Sequence, residues 1–245
     1  MRGRLTFAFA LLIAAAAAAQ QPDFSKAEIK SEKLADNVYM LSSVGVLAGN
    51  IAALVGPNGV LIVDDQFAPL VPKIQTALAE LTSAPVRFVL NTHWHDDHSG
   101  GNEPLGKSGA VIVAHDNTLK RLSSEQFIDL FNAKIPANPP EAWPAVTFAD
   151  SVTLHLNGED IEAVHVANAH TDSDAIIYFR KANVVHTGDV FLGRAYPFVD
   201  TGSGGSLDGV IAAAATVLAR INDDTKIIPG HAPMQKKPEL AAWRG

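Results

Sequence analysis

Residues 91–102, NTHWHDDHSGGN, place three imidazoles and two carboxylates within six consecutive positions. The stretch directly follows the apolar run of residues 86–90, which predicts a buried strand. Polar side chains crowded at the end of a buried strand are costly unless a partner neutralises the carboxylates and uses the imidazole lone pairs. A divalent metal ion meets both conditions, so this stretch predicts a metal site.

The spacing within the stretch predicts which side chains face the metal. In an extended chain His93 and His95 point to one side and Trp94 to the other. Asp97 and His98 come where Ser99-Gly100-Gly101 lets the backbone turn, so we expect these two to face a second point close by. Asp96 is predicted to be either a solvated acid or an acid that supports the ligands from behind, and Trp94 to be a packing residue.

Three later segments end predicted strands with further ligand types: AHTDSD, VVHTGDVF and IPGHAP. Together with the first stretch they offer two groups of three ligands and one carboxylate between them: His93, His95 and His170; Asp97, His98 and His231; and Asp189. Three protein ligands for each ion leave a position open for water, as in catalytic zinc sites, whereas structural zinc sites are closed by four protein ligands. The sequence therefore predicts two zinc ions per chain.

Length and charge limit the classes to which the protein can belong. A chain of 245 residues, 47% hydrophobic, is long enough for one large domain. The net charge of -7 and the lack of a clustered basic face argue against nucleic acid as a partner, and we expect a small-molecule substrate. The chain has no cysteine and so no disulfide framework.

Residues 1–19 are typical of a secretory signal peptide. Arg2 and Arg4 precede an apolar run from Leu5, and the run ends in small residues up to Ala19. The alternative is a membrane anchor, but the run is short for a span and its alanine tract suits cleavage. We therefore expect residues 20–245 to form one periplasmic or secreted hydrolase domain without membrane attachment.

Hydrophobic periodicity predicts two similar halves. Strands are predicted over 38–41, 51–55, 60–63, 86–90 and 111–114, and then over 152–156, 161–166, 175–179, 184–186 and 225–228. Helices are predicted over 70–81, over 207–221 and from residue 238. Residues 116–144 are predicted to form a helix and then a proline-rich surface excursion. Strand-rich stretches that are each followed by a helix suggest two packed sheets with helices outside.

The motifs HWHDDH, AHT, TGD and PGH, in this order, resemble the metallo-β-lactamase superfamily over essentially the whole of residues 20–245. The resemblance implies an α/β fold, a four-layer αββα sandwich of two mixed β-sheets flanked by helices. It also implies that the seven side chains named above hold the metal ions in a cleft at one edge of the sheets.

The predicted chemistry is hydrolysis by a hydroxide that bridges two zinc ions, without a serine or cysteine nucleophile. Asp189 is predicted to bridge the ions, and Asp97 to orient the hydroxide and pass a proton to the leaving group. Iron-based redox relatives carry a carboxylate at the position of His95, so the imidazole there favours zinc.

The resemblance leaves the substrate open, with β-lactam hydrolysis as the expected activity. Well-established β-lactamases of the group usually have cysteine or serine in place of Asp189, and a lysine soon after a cysteine. In this chain the nearby cation is Arg194. It is either an anchor for a substrate carboxylate or a solvated surface residue. A lactonase or another esterase or thioesterase is an alternative, although relatives of glyoxalase II continue into a helical region after the position of His231. A second alternative is a quinoprotein-associated accessory metal protein without efficient turnover.

Two further features bear on the site. The apolar loop with Val46 and Leu47 resembles a hairpin that overhangs the metal cleft, and we expect a mobile flap there whose two apolar side chains close over the substrate. The histidines outside the motifs, His115, His155 and His165, are predicted to be structural or to support ligands from behind, and not to bind metal themselves. His186 is predicted to support the metal ligands from behind because it lies three residues before Asp189.

Overall fold

A computed structural model describes residues 23–128 and 132–245, so the predicted signal peptide lies outside the described residues. Two β-sheets pack face to face, and helices cover the outer face of each. The four-layer sandwich predicted above is confirmed.

The first sheet has seven strands in the order β1-β2-β3-β4-β5-β6-β9. The pairs from β1 to β4 are antiparallel and those from β4 through β5 and β6 to β9 are parallel, so the sheet is mixed. Its strands are β1 (Glu28–Lys33), β2 (Val38–Val44), β3 (Ile51–Leu54), β4 (Val60–Val63), β5 (Val86–Leu90), β6 (Val111–His115) and β9 (Val146–Phe148).

The second sheet has five strands in the order β10-β11-β12-β13-β14, antiparallel except for the parallel pair β13 and β14. A separate two-stranded hairpin, β7 with β8, follows the fourth helix. These strands are β7 (Gln126–Ile128), β8 (Ala133–Ile135), β10 (Ser151–Leu156), β11 (Glu159–His165), β12 (Ala175–Phe179), β13 (Val184–His186) and β14 (Lys226–Ile228).

Alternation along β12 shows how the layers form. Ile177 and Phe179 face the first sheet and join the central core, whereas Ile176 and Tyr178 face the helices of the second half. Both faces are covered, so all five residues of the strand are buried and apolar. The helices are α1 (Val71–Ala79), α2 (Asp96–Ser99), α3 (Asn102–Lys107), α4 (Asp116–Leu122), α5 (Leu207–Arg220) and α6 (Lys237–Arg244).

Most predicted elements agree with the structure to within a few residues. The turn at Asn157-Gly158 is confirmed as a tight hairpin between β10 and β11, and both residues have positive φ, as such a turn requires. The prediction for residues 116–144 was incomplete. After α4 the chain forms the β7–β8 hairpin, and Ile128 packs in a small core with Trp94 and Leu122 instead of lying on a separate excursion.

Across the described residues, no helix is both long enough and apolar enough to span a lipid bilayer.

Candidate metal centre

Loops that follow β4, β5, β13 and β14, together with the loop before β12, meet at one edge of the sandwich. Each loop brings at least one buried or half-buried polar side chain to the same place. The side chains that come within ligand distance of one another form two groups, the first of His93, His95 and His170 and the second of Asp97, His98 and His231, and a further set of His93, His98 and Asp189 overlaps both. In each group the potential ligand atoms all lie within 4.8 Å of one another.

The first group presents bare nitrogen atoms to one point. His95 Nε2 donates to the Asp200 carboxylate at 3.0 Å and His170 Nδ1 donates to the Phe198 carbonyl at 2.8 Å, so the other nitrogen of each ring carries a lone pair. These two lone-pair atoms, His95 Nδ1 and His170 Nε2, lie 2.9 Å apart. His93 Nε2 is buried beside them without a hydrogen-bond partner among the described residues. Such an arrangement is repulsive unless a cation lies between the rings.

The second group surrounds His98 Nε2, which lies 3.3 Å from His231 Nε2 and 3.6 Å from Asp97 Oδ2. Asp97 Oδ2 is 3.1 Å from His231 Nε2. Asp97 and His98 both lie in the single turn of α2. The Gly100-Gly101 turn follows that helix directly, which agrees with the predicted change of backbone direction.

Asp189 lies between the two groups. Its Oδ1 is 3.0 Å from His98 Nε2, and its Oδ2 is 3.3 Å from His231 Nε2 and 3.8 Å from His170 Nε2. Gly188 holds the turn before it with a φ of 50°, a conformation that glycine adopts without strain. One carboxylate thus reaches both groups, as the sequence predicted for a shared ligand.

Behind the ligands, Asp64 orients one imidazole of each group. Its carboxylate is fully buried and accepts three hydrogen bonds: from Thr92 N at 2.7 Å, from Thr92 Oγ1 at 2.8 Å and from His98 Nδ1 at 2.7 Å. Because the Thr92 hydroxyl proton points to Asp64, its oxygen accepts from His93 Nδ1 at 3.0 Å. Asp64 therefore leaves the Nε2 lone pairs of both His93 and His98 free for a metal ion.

Charges in the site shift the pKa values in two directions. Burial, with a contribution from His95, lowers the pKa of His170 to about 4, and burial also holds the pKa of His93 well below its usual range. Burial alone would lower the pKa of His231 as well, but Asp189 and Asp97 outweigh it and raise this pKa to about 9. A cation that binds to the second group must therefore displace a proton from His231.

The donor set fits zinc. The set consists of imidazole nitrogens and carboxylate oxygens, with three donors in each group. Four of the five imidazoles also donate the N–H that faces away from the metal position to an acceptor on the protein. The exception is His231, whose Nδ1 is buried without a partner among the described residues.

A cavity of about 630 Å³ opens over the two groups. Apolar side chains from several loops form much of its wall, and the ligands and their neighbour Asp96 form the rest. The apolar lining residues are Leu47, Phe67, Ile128, Leu192, Ala195 and Phe198. The volume suits a small organic molecule.

The predicted substrate contacts lie in different places. Leu47 lines the cavity, but Val46 packs against the core under α1 and does not line it. Arg194 is exposed and lies outside the cavity lining, although its neighbour Ala195 is part of it. His186, predicted to support the ligands, donates from its Nε2 to the Asn50 carbonyl at 2.9 Å and accepts at its Nδ1 from the N–H of Gly188, the residue before Asp189.

Several residues that support the ligands were not predicted from the sequence. Asp64 and Asp200 orient ligand imidazoles, and Asn50 donates to the carbonyls of Pro229 and Ala232, on both sides of His231. A signal existed for Asp64, because two acids directly follow the buried strand β4. Asp200 and Asn50 lie in loops without periodicity and carry no comparable signal.

The different positions of Leu47 and Val46 make a testable prediction. Replacing Leu47 with serine removes apolar surface from the cavity, and we expect KM to rise roughly fivefold, or about 1 kcal/mol, with unchanged zinc content. Val46→Ser is the matched control, because it should lower the free energy of unfolding and leave KM unchanged. Steady-state kinetics and chemical denaturation of both variants check this. Equal KM values for the two variants would show that Leu47 does not contact the substrate.

The fold and the paired groups of histidine and aspartate at the edge of two sheets define a metallohydrolase site. A family model described as the metallo-beta-lactamase superfamily matches residues 44–231. The chain belongs to this superfamily.

Individual relatives are distant. A metallo-beta-lactamase type 2 of Bacteroides fragilis is 22% identical over 214 residues, which are 83% of this chain and 79% of that protein. A hydroxyacylglutathione hydrolase of Polaromonas sp. is 27% identical over 166 residues, which are 66% of this chain and 55% of that enzyme.

Among solved structures, a metallo-beta-lactamase from Pontibacter korlensis superposes with a TM-score of 0.71 at 18% identity, over 89% of this chain and 99% of that one. The DIM-1 metallo-beta-lactamase superposes with a TM-score of 0.69 at 20% identity, over 89% of this chain and 95% of that one. At these identities the superpositions establish the fold.

Proposed function

We propose that the protein is a zinc-dependent hydrolase that opens a cyclic amide or ester, with two zinc ions per chain. The observation that carries the proposal is the pair of three-ligand groups that share Asp189 at the wall of a cavity sized for a small molecule. Sites with three protein ligands keep a position open for chemistry.

Zinc, when bound, supplies Lewis acidity for the substrate carbonyl and lowers the pKa of coordinated water toward neutrality. The protein supplies the rest. Asp189 and Asp97 add negative charge at the second group, and Asp97 remains partly exposed to the cavity, where its carboxylate can take up a proton and pass it to the leaving group. Ser99, a hydroxyl of the motif, is buried, donates to the carbonyls of Trp94 and His95 and is not part of the cavity lining, so it is not placed to act as a nucleophile.

β-Lactams are the first substrates to test, because relatives and structural neighbours carry the name metallo-beta-lactamase. A lactone or another ester is the second candidate. It is favoured by the cavity itself, since no lysine or arginine stands among its described lining residues to receive the carboxylate of a typical β-lactam. We further propose that residues 1–19 direct export, so that the enzyme acts on small molecules in the periplasm or outside the cell.

The test is turnover of β-lactams, lactones and thioesters by the zinc-loaded mature protein. We expect hydrolysis of at least one class, loss of the rate on chelation and recovery with zinc. His155→Ala is the control, because His155 is exposed, pairs with Asp160 and belongs to neither ligand group. Asp97→Asn should lower kcat by about 100-fold. Zinc content measured on the same sample separates a loss of metal from a loss of proton transfer.

Failure of all three substrate classes, with two zinc ions bound, would contradict the hydrolase proposal. The accessory metal protein, the alternative raised by the sequence, would then be the better description.

A further inference from the structure

The loop of residues 45–50 (the cavity loop) carries Leu47 to the wall of the cavity. The start of the loop is held by Ser43, whose hydroxyl donates to the Val46 carbonyl at 2.8 Å. The Val46 side chain is partly buried against the core under α1. Leu47, the next residue, is 77% exposed, so the position of its side chain depends on how the rest of the loop is held.

The end of the cavity loop is bound to the second ligand group. The Gly49 N–H donates to the Asp97 carbonyl at 3.1 Å, and the Asn50 N–H donates to the Gly230 carbonyl at 2.7 Å. Gly49 also lies against the His98 ring, because a Cβ at this position would lie 2.4 Å from His98 Cε1. A shift of the loop end would therefore disturb both segments that carry the second group.

Gln66 supplies a further bond to the end of this loop. Its Nε2 donates to the Gly49 carbonyl at 2.7 Å, and its own carbonyl accepts from Gly101 N at 2.9 Å, just after α2. The residue is fully buried and is not part of the described cavity lining. Gln66 thus joins the cavity loop to the backbone that follows α2 without itself reaching the substrate.

Two features of Gln66 are costly. Its φ of 58° lies in the left-handed region, where residues other than glycine and asparagine are strained. Its Oε1 is buried without a hydrogen-bond partner among the described residues, so the amide uses only part of its bonding capacity. Strained and incompletely bonded residues of this kind cluster at functional sites, which favours a positioning role.

We propose that Gln66 is a positioning residue that fixes the cavity loop, so that Leu47 forms a rigid part of the substrate-binding wall. The effect on substrate affinity rests on the proposed hydrolase function, whereas the fixed loop does not depend on turnover. The loop is then a preformed wall and not the mobile flap expected from the sequence. A wall that is ordered before binding avoids the entropy cost of ordering it when the substrate binds.

Hydrogen exchange at the amides of Gly49 and Asn50, measured by NMR on the zinc-loaded mature protein, tests the fixed loop directly. We expect both amides to be protected in the unmodified protein. In Gln66→Met they should exchange at least about tenfold faster, the factor expected from loss of one buried hydrogen bond. Methionine is similar in size to glutamine and lacks the amide donor. The amides of β4 report any loss of global stability in the same samples.

Two further variants separate the hydrogen bond from other effects. Asn157→Leu is the matched control: Asn157 has a φ of 50°, and its Nδ2 donates to the Gly59 carbonyl at 2.8 Å, near the other end of β4. It should lower the free energy of unfolding and leave the exchange of Gly49 unchanged. Gln66→Asn relieves the backbone strain, but its side chain is one methylene too short to reach Gly49, so it should exchange as fast as Gln66→Met.

A double-mutant cycle with Leu47→Ser tests whether Gln66 acts on the substrate through Leu47. Gln66→Met should raise KM by roughly fivefold with unchanged kcat and zinc content, as expected for Leu47→Ser. Because the two residues are proposed to act as one unit, the double variant should also show about a fivefold rise. Independent effects would multiply to roughly 25-fold. A residue with only a structural role would lower stability without this coupling.

The outcomes distinguish this inference from the hydrolase proposal. Faster exchange in Gln66→Met, together with non-additive KM values, supports the role of Gln66. The same faster exchange without turnover of any lactam, lactone or thioester supports the fixed loop and contradicts the hydrolase function. The inference is overturned by rapid exchange already in the unmodified protein, by exchange that Gln66→Met leaves unchanged, or by KM effects that multiply in the double variant.

Discussion

Replacing Asp64 with asparagine should release metal from both ligand groups while the protein stays folded. The amide oxygen takes the hydrogen bond from Thr92 N, which leaves the amide NH2 facing His98 Nδ1 and Thr92 Oγ1. Both of these atoms must then accept a hydrogen bond from the amide NH2. The proton of His98 then moves from Nδ1 to Nε2. The Thr92 hydroxyl turns and donates to His93 Nδ1, so the proton of His93 also moves to its Nε2.

One substitution therefore places a proton on a ligand nitrogen in each group. We expect zinc affinity to fall by about 100-fold, the upper end of what loss of an orienting partner costs. Zinc titration against a competing chelator measures this, and circular dichroism checks the fold. Asparagine also tolerates the positive φ of 64° at this position, so backbone strain is not a cause of the loss.

The neighbouring Asp65 offers a matched control. It is also buried, but within the described residues only Gly101 N donates to its carboxylate, and burial raises the pKa of this carboxyl well above its usual range. Asp65→Asn should leave zinc affinity nearly unchanged. Asp64→Ala should instead lower the free energy of unfolding by about 3–5 kcal/mol, because it leaves buried donors without an acceptor. Equal zinc affinity in Asp64→Asn and Asp65→Asn would refute the orienting role of Asp64.

The candidate metal ligands could be selected from the sequence because each of them stands in a short local pattern. His93 and His95 alternate along an extended segment, and His170, Asp189 and His231 each lie near the end of an apolar strand. Local patterns of this kind survive without knowledge of the tertiary fold. The structure brings the same seven residues together in overlapping sets, with Asp189 near His98, His231 and His170.

The partners of the ligands could not be predicted in the same way. Asp200 lies 105 positions from the His95 ring that it orients, and Asn50 lies 179 positions from the Pro229 carbonyl that it binds. Such pairs are decided by how the sheets and loops pack, and an isolated polar residue in a loop gives no sign of its contact. The same limit applies to Arg194, whose short distance from Asp189 along the chain suggested a substrate contact that the cavity lining does not include.

The hairpin of β7 and β8 shows a different limit. Its two strands have three residues each, and a proline directly follows β8, so no period of two residues could emerge. The structure nevertheless packs Ile128 against Trp94 and Leu122 and brings it to the cavity wall. Short strands of this kind are fixed by what they cover rather than by their own propensity.

Alanine at Gly230 should remove metal from the second group although glycine contributes no ligand atom. A Cβ at this position would lie 2.0 Å from Asp189 Oδ1 and 3.0 Å from the Gly188 carbonyl oxygen. The backbone cannot easily retreat, because Gly230 N donates to the Phe191 carbonyl and the Gly230 carbonyl accepts from Asn50 N at 2.7 Å. Either the shared carboxylate rotates away or the segment shifts and takes His231 with it.

Both responses break the second ligand group and leave the three histidines of the first group in place. We therefore expect Gly230→Ala to bind one zinc ion instead of two, with kcat/KM lower by about 100-fold on any substrate that the unmodified protein hydrolyses. Overpacking should also lower the free energy of unfolding by about 1–3 kcal/mol. Gly106→Ala is the matched control, because its Cβ would lie 2.1 Å from the Glu141 carbonyl oxygen, outside the ligand groups. It should show a similar loss of stability with two zinc ions and full activity. Equal zinc content in both variants would mean that Asp189 has room to move without leaving the metal.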